Sequence, residues 1–177
     1  MRSIVMGVLL ATGMALPAGA QSKGLDDATI VAIFDLANTA DIETGQLAAK
    51  LGHSAQVREL GANFATAHTQ VRQQGRDLAQ KLGVTPTPPA DGAMAKQHAE
   101  ALAKLKTLKG AEFDRAFVAH EIAFHSAVIE AVTTTLLPAA QTPELRALIE
   151  QVAPAFVAHL EAAKSLEKKL TSTTAGH

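Results

Sequence analysis

The 177-residue chain contains no cysteine, no tryptophan and no tyrosine. Without cysteine there is no disulfide, no thiol nucleophile and no thiolate metal site, so the fold has to be held by its apolar core. Without tyrosine, tyrosyl-radical chemistry is excluded. Methionine is scarce where it would matter. Met1, Met6 and Met14 lie in the first 20 residues, and Met94 alone is too little for a methionine-rich copper carrier. No period-two alternation marks a strand, and no repeat of solenoid length is evident. Charge is also unremarkable in sign: once Arg2 is lost with the leader described below, 15 basic residues face 17 acidic ones, a formal charge of −2. With no Lys/Arg stripe, nucleic acid and anionic membrane surfaces are poor partners.

Residues 1–20 read as a secretory signal peptide. Arg2 supplies the positive n-region, "IVMGVLLATGMAL" is apolar but too short to span a bilayer, and Ala18 and Ala20 place small residues before the cleavage point. Cleavage before Gln21 leaves 157 residues, 21–177, enough for one domain with a core over about 26–170. A periplasmic or secreted protein with no further membrane span is expected.

What is present is helical periodicity. The first helix runs from Asp26 or Asp27 to Leu51, with Gly52 ending it and Ile30, Ile33, Phe34, Ala37, Ala40, Thr44, Leu47 and Leu51 as its stripe. The second opens at Ser54 and ends at Leu82 before Gly83, and the turn between the two is so short that they must be antiparallel. Three prolines in "VTPTPPADGA" break the pattern, followed by a short helical piece over about 93–108. A third long helix covers about Ala111 to Leu137 and stops at Pro138. The fourth starts at Thr142 and Pro143, with Leu145, Ile149, Val152, Phe156, His159, Ala163, Leu166 and Leu170 in a 3-4 repeat. Two hairpins joined by a long connection predict an all-α fold: a ferritin-like four-helix bundle with a partly helical crossover between helices two and three.

Each long helix carries a metal-capable side chain on or beside this core face. His68 shares a face with Phe64 and Val71, and His159 is a stripe position itself. Glu121 and His125 form an i, i+4 pair beside His120, and Glu43 lies between Ala40 and Leu47. At ~1.5 Å per residue, His159 is nearly level with Glu121 across the turn near residue 140, and His68 with His125 if helices two and three are parallel. Glu43 fits worse, roughly 9 Å nearer the first turn than His68. The candidate set is Glu43, His68, Glu121, His125 and His159. Imidazole with carboxylate suits one divalent transition-metal ion such as zinc, iron, copper or nickel. Asp114 reads as a first-turn acid, and His53, His98 and His177 as solvent residues. The alternative is an exported structural or interaction protein whose buried histidines are hydrogen-bonded core residues.

The blocks "DIETGQLAAKLG", "VRELGANFATAHTQ", "LKGAEFDRAFVAHEIAFHSAVIEAV" and "VAPAFVAHLEAAKSL" resemble, in this order, the bacterial secreted ferritin-like family catalogued as domain of unknown function 4142. The resemblance spans about Asp27 to Leu170. It implies a helical ferritin-like bundle with typical polar positions at Glu43, His68, Asp114, His125 and His159, and it implies no reaction. Where that family usually has an Asp-His pair in helix two, Ala67 precedes His68 here. A di-iron oxidising enzyme would need two Glu-x-x-His motifs, and none occurs in this chain.

Overall fold

The computed structural model describes residues 25–174, with side chains to Ser172; the expected signal peptide and the start at Gln21 lie outside the described residues. The described chain is helical throughout its regular structure. Helix α1 spans Asp27–Leu51, α2 Ala55–Leu82 and α3 Ala93–Thr107. Helix α4 begins at Gly110 and continues to Ala139, and α5 is Pro143–Thr174.

The starts and stops follow local chemistry. Asp26, not Asp27, caps α1 by accepting the Thr29 N–H at 2.8 Å, and Ser54 caps α2 by accepting from Val57. Gly83 ends α2 in the left-handed conformation, φ 65°, where a side chain would be strained. The small residues Gly45 and Gly61 set the α1–α2 crossing. A Cβ on either would come 2.6 Å from the other's carbonyl oxygen, so only glycine allows the two backbones to approach this closely.

Helix α4 does not stop at Pro138 as expected. A π-helical segment, Val132–Leu136, precedes a last α-turn, Leu137–Ala139. Proline clashes with the carbonyl four residues back, here Thr134, and the wide turn opens the ladder at that point. The Thr133 and Thr134 hydroxyls donate to the Ile129 and Glu130 carbonyls on the same stretch. Pro154 lies inside α5. The first stripe is also shorter than expected, because Leu51, at the end of its helix, is 40% exposed. By length and composition Gly110–Ala139 could cross a membrane, yet it buries Asp114, Glu121 and His125 and packs along α5.

Two apolar clusters fix the directions of the helices. One joins Ile30 and Val31 of α1, Ala79 of α2, Val132 and Leu136 of α4, and Leu145 and Ile149 of α5. The other joins Ala48, Val57, Leu105, Phe113, Phe117, Val118 and Leu166. The start of α1 therefore lies with the end of α2, the end of α4 and the start of α5, which makes α2 parallel to α4 and α1 parallel to α5. Five of the six phenylalanines are buried, and Phe124 is half-buried.

Two aspartates tie the hairpins together. Asp114, at the start of the second turn of α4, accepts the N–H groups of His53 and Ser54 at 2.7 and 2.8 Å, capping the α1–α2 turn. Asp27, in the first turn of α1, accepts those of Gln141 and Thr142 at 2.8 and 2.9 Å, and also the Thr142 hydroxyl. Each carboxylate thus satisfies helix-terminal donors of the opposite hairpin. Asp114 is neither a cap of its own helix nor part of the histidine cluster.

Candidate metal centre

Midway between the two apolar clusters, all four long helices send polar side chains inward. Asn38, Asp41 and Thr44 come from α1, His68 from α2, and Glu121 and His125 from α4; each is 2% exposed or less. His159 of α5 is half-buried. The three imidazole centroids form a near-equilateral triangle with sides of 4.9, 5.4 and 5.7 Å. Phe64 closes one side at 4.5 Å from the His159 ring, and Phe156 another at 5.4 Å from His68.

The hydrogen bonds assign the ring nitrogens. The Asn38 amide donates to the Phe34 carbonyl at 2.8 Å, which turns its Oδ1 towards His68 Nδ1, 2.9 Å away. His68 must therefore carry its proton on Nδ1. In the same way His125 Nδ1–H donates to the Glu121 carbonyl at 3.0 Å. Both rings are left with a bare Nε2. His68 Nε2 lies 3.1 Å from His159 Nδ1 and 3.4 Å from Asp41 Oδ2, and His125 Nε2 lies 4.0 Å from Asp41 Oδ1. His125 Nε2 and all four carboxylate oxygens of Asp41 and Glu121 are buried without a hydrogen-bond partner.

Charge follows from burial. Desolvation pushes His68 down to about 3, with the neighbouring His159 and His125 adding to it, and pushes His125 down to about 4. His159 is lowered by the same cause. Burial raises Glu121 to about 7, partly offset by Thr44 and Asp41, and holds Asp41 well above the carboxylate range with help from the Glu121 charge. At neutral pH the site is three neutral imidazoles beside two carboxyl groups that cannot both ionise cheaply.

This donor set fits a transition-metal ion. The ligand atoms of His68, His125 and His159 lie within 4.8 Å of one another, as do those of Asp41, Glu121 and His125. A tetrahedron with bonds near 2.0 Å has edges of about 3.3 Å, and the separations of 3.1, 3.4 and 4.0 Å bracket that length. Two carboxylates would balance the charge of a divalent cation.

The structure thus brings together His68, Glu121, His125 and His159 from the expected set, and leaves out Glu43. The Glu43 side chain is 51% exposed and bonds His98 Nε2 at 2.8 Å. Two residues earlier, Asp41 takes the inward place, because a two-residue step turns about 200° around a helix. Asp41 and Asn38 escaped the sequence reading, although Phe34, Asp41 and Ala48 fall at seven-residue steps along α1. His98, expected in solvent, is only 18% exposed.

The family described as Domain of unknown function (DUF4142) matches residues 12–166. No curated protein matches the chain. A crystal structure of a DUF305 fragment from Deinococcus radiodurans aligns with a TM-score of 0.70 at 15% identity, covering 80% of this chain and 95% of that one. At that identity the likeness concerns the fold alone.

Proposed function

The chain belongs to the DUF4142 family, and within it we propose an exported, ferritin-like four-helix protein that binds a divalent transition-metal ion inside its bundle. His68 Nε2, His125 Nε2, His159 Nδ1 and an Asp41 oxygen are the donors in this reading, and Glu121 supplies the second negative charge. One observation carries it. Two buried histidines commit Nδ1–H to Asn38 and to the Glu121 carbonyl, and each turns a bare Nε2 towards a carboxylate that has no hydrogen-bond partner. Fixing the tautomer through the far ring nitrogen is how proteins orient metal-ligating histidine. Five orphaned atoms in one place would otherwise cost roughly 1–3 kcal/mol each. The role is binding rather than oxidation, since two carboxylates converge here instead of the four of a di-iron centre. Export to the periplasm or beyond, with no membrane span after cleavage and no nucleic-acid partner, completes the proposal.

Metal-free protein without an affinity tag is the sample for the test. Zinc, copper, nickel or iron at about 100 times its dissociation constant should stabilise the fold by about 2.7 kcal/mol, read as a rise in melting temperature. His125→Leu and His159→Leu should each abolish that rise. If no ion shifts the melting curve, the proposal fails.

A second reading rests on the contact between His68 Nε2 and His159 Nδ1, which at 3.1 Å is an ordinary hydrogen bond. It makes the histidines core residues of a non-catalytic envelope structural or interaction protein. His159→Leu would then be neutral or stabilising, and metals without effect.

A further inference from the structure

Between α4 and α5 lies a cavity of about 520 Å³ that the histidine cluster does not use. Two helix irregularities flank it: the π-helical segment of α4, which starts at Val132, and Pro154 inside α5. Ile129, Val132 and Leu137 line it from α4, and Ile149, Ala153 and Val157 from α5. Val157 is 47% exposed, so apolar surface faces water at the mouth. Phe156 is the buried part of the wall, and its ring centroid lies 5.4 Å from that of His68. Small-molecule sites are typically apolar spaces of about 300–1,000 Å³ with a few polar groups that orient the ligand. This cavity has that size and that lining.

Its polar groups are all acceptors. Thr133 and Glu150 are the polar residues of the lining. The Thr133 hydroxyl already donates to the Ile129 and Glu130 carbonyls, so it has only a lone pair to offer. Glu150 is exposed and brings a carboxylate, and its carbonyl lacks the usual helical donor because Pro154, four residues on, has no N–H. Exposed Glu130, three residues before Thr133, adds negative charge on α4. Arg146, one turn before Glu150, donates instead to the Ala140 carbonyl at 2.8 Å. No Lys, Arg, His, Asn or Gln is among the described residues that line the cavity. An acidic head group would therefore meet repulsion and no side-chain donor, whereas an ammonium would meet acceptors and a carboxylate. We propose that the cavity binds a lipophilic primary amine, its hydrocarbon body against Ile149 and Phe156 and its ammonium at Glu150 and Thr133. The site uses none of the metal donors, so it stands apart from the proposed function.

Methyl-resolved NMR titration of the mature protein at pH 7.5 with octylamine, octanol and octanoate, each kept monomeric, tests this. The three share one hydrocarbon chain and differ in the head group. Octylamine should shift the methyl signals of Ile129, Leu137 and Val157 saturably, octanol more weakly, and octanoate at least about tenfold more weakly than the amine, because like charges at the rim repel it. Glu150→Gln should erase the advantage of the amine over the alcohol. Val157→Lys, at an exposed position, should abolish amine binding by setting a cation at the mouth; should it not fold, Glu150→Lys replaces it. Octanoate binding as tightly as octylamine, or shifts at exposed Leu51 equal to those in the cavity, would overturn the proposal. So would the absence of any saturable shift. If the chain is dimeric and its cavity methyls ignore all three compounds, a second copy covers the cavity and the amine site is likewise refuted.

Discussion

Glu121→Gln in metal-free protein should stabilise the fold, and by an amount the structure supplies. Burial raises the Glu121 carboxyl to about 7 from 4.5. The unfolded chain releases this proton above about pH 4.5 while the folded chain holds it to about 7, so stability falls as pH rises through that window. Above pH 7 the full difference of about 2.5 units applies, roughly 3 kcal/mol at 1.36 kcal/mol per unit. Glutamine has the same shape, is as polar as the protonated acid and never ionises, so the substitution removes this cost. The variant should gain about 3 kcal/mol at pH 8, or about 6–12 °C in melting temperature for a domain of this size, and almost nothing at pH 4.5. Urea unfolding with a chelator present, at both pH values, measures it. Added metal should reverse the order, because the variant lacks half of the negative charge that balances the cation. Equal or lower stability of Glu121→Gln at pH 8 would mean that the ionised carboxylate makes a stabilising contact and that its burial is not opposed.

The same pair of carboxyl groups sets the pH dependence of metal binding. Affinity should fall about tenfold per pH unit below pH 7, as a proton must leave Asp41 or Glu121 for each ion bound. Calorimetry in buffers of different ionisation enthalpy counts that proton. A midpoint near 6.5 would instead assign control to ordinary imidazoles, at odds with His68 and His125 lying near 3 and 4. Phe156→Ala should cost ~3–5 kcal/mol in urea unfolding, since Phe156 is 4% exposed and packs on Phe34 and Val152; a loss under about 1 kcal/mol would contradict that packing. Asp114→Ala leaves two turn N–H groups without their acceptor and should cost about 2–4 kcal/mol, while leaving any metal-dependent gain in melting temperature unchanged.

Local chemistry written in the sequence determined the helices themselves. Asp26 and Ser54 cap, Gly83 terminates, Pro143 starts, and the 3-4 repeat of α5 buries Leu145, Ile149, Val152 and Phe156 in turn. The same periodicity put His68, Glu121, His125 and His159 on inward faces, because a residue's face depends only on its spacing from apolar neighbours. Tertiary structure decided whatever depends on rotation and depth between helices. Asp41 and Glu43 are two residues apart on α1, and only the packing of α2 and α4 against α1 says which of them meets the histidines. The role of Asp114 lay in a turn some 60 residues away, where the unpaired N–H groups of His53 and Ser54 needed an acceptor. The proton positions on His68 and His125 were likewise beyond the sequence, since a tautomer is set by the acceptor that a folded neighbour or the helix's own turn brings to Nδ1.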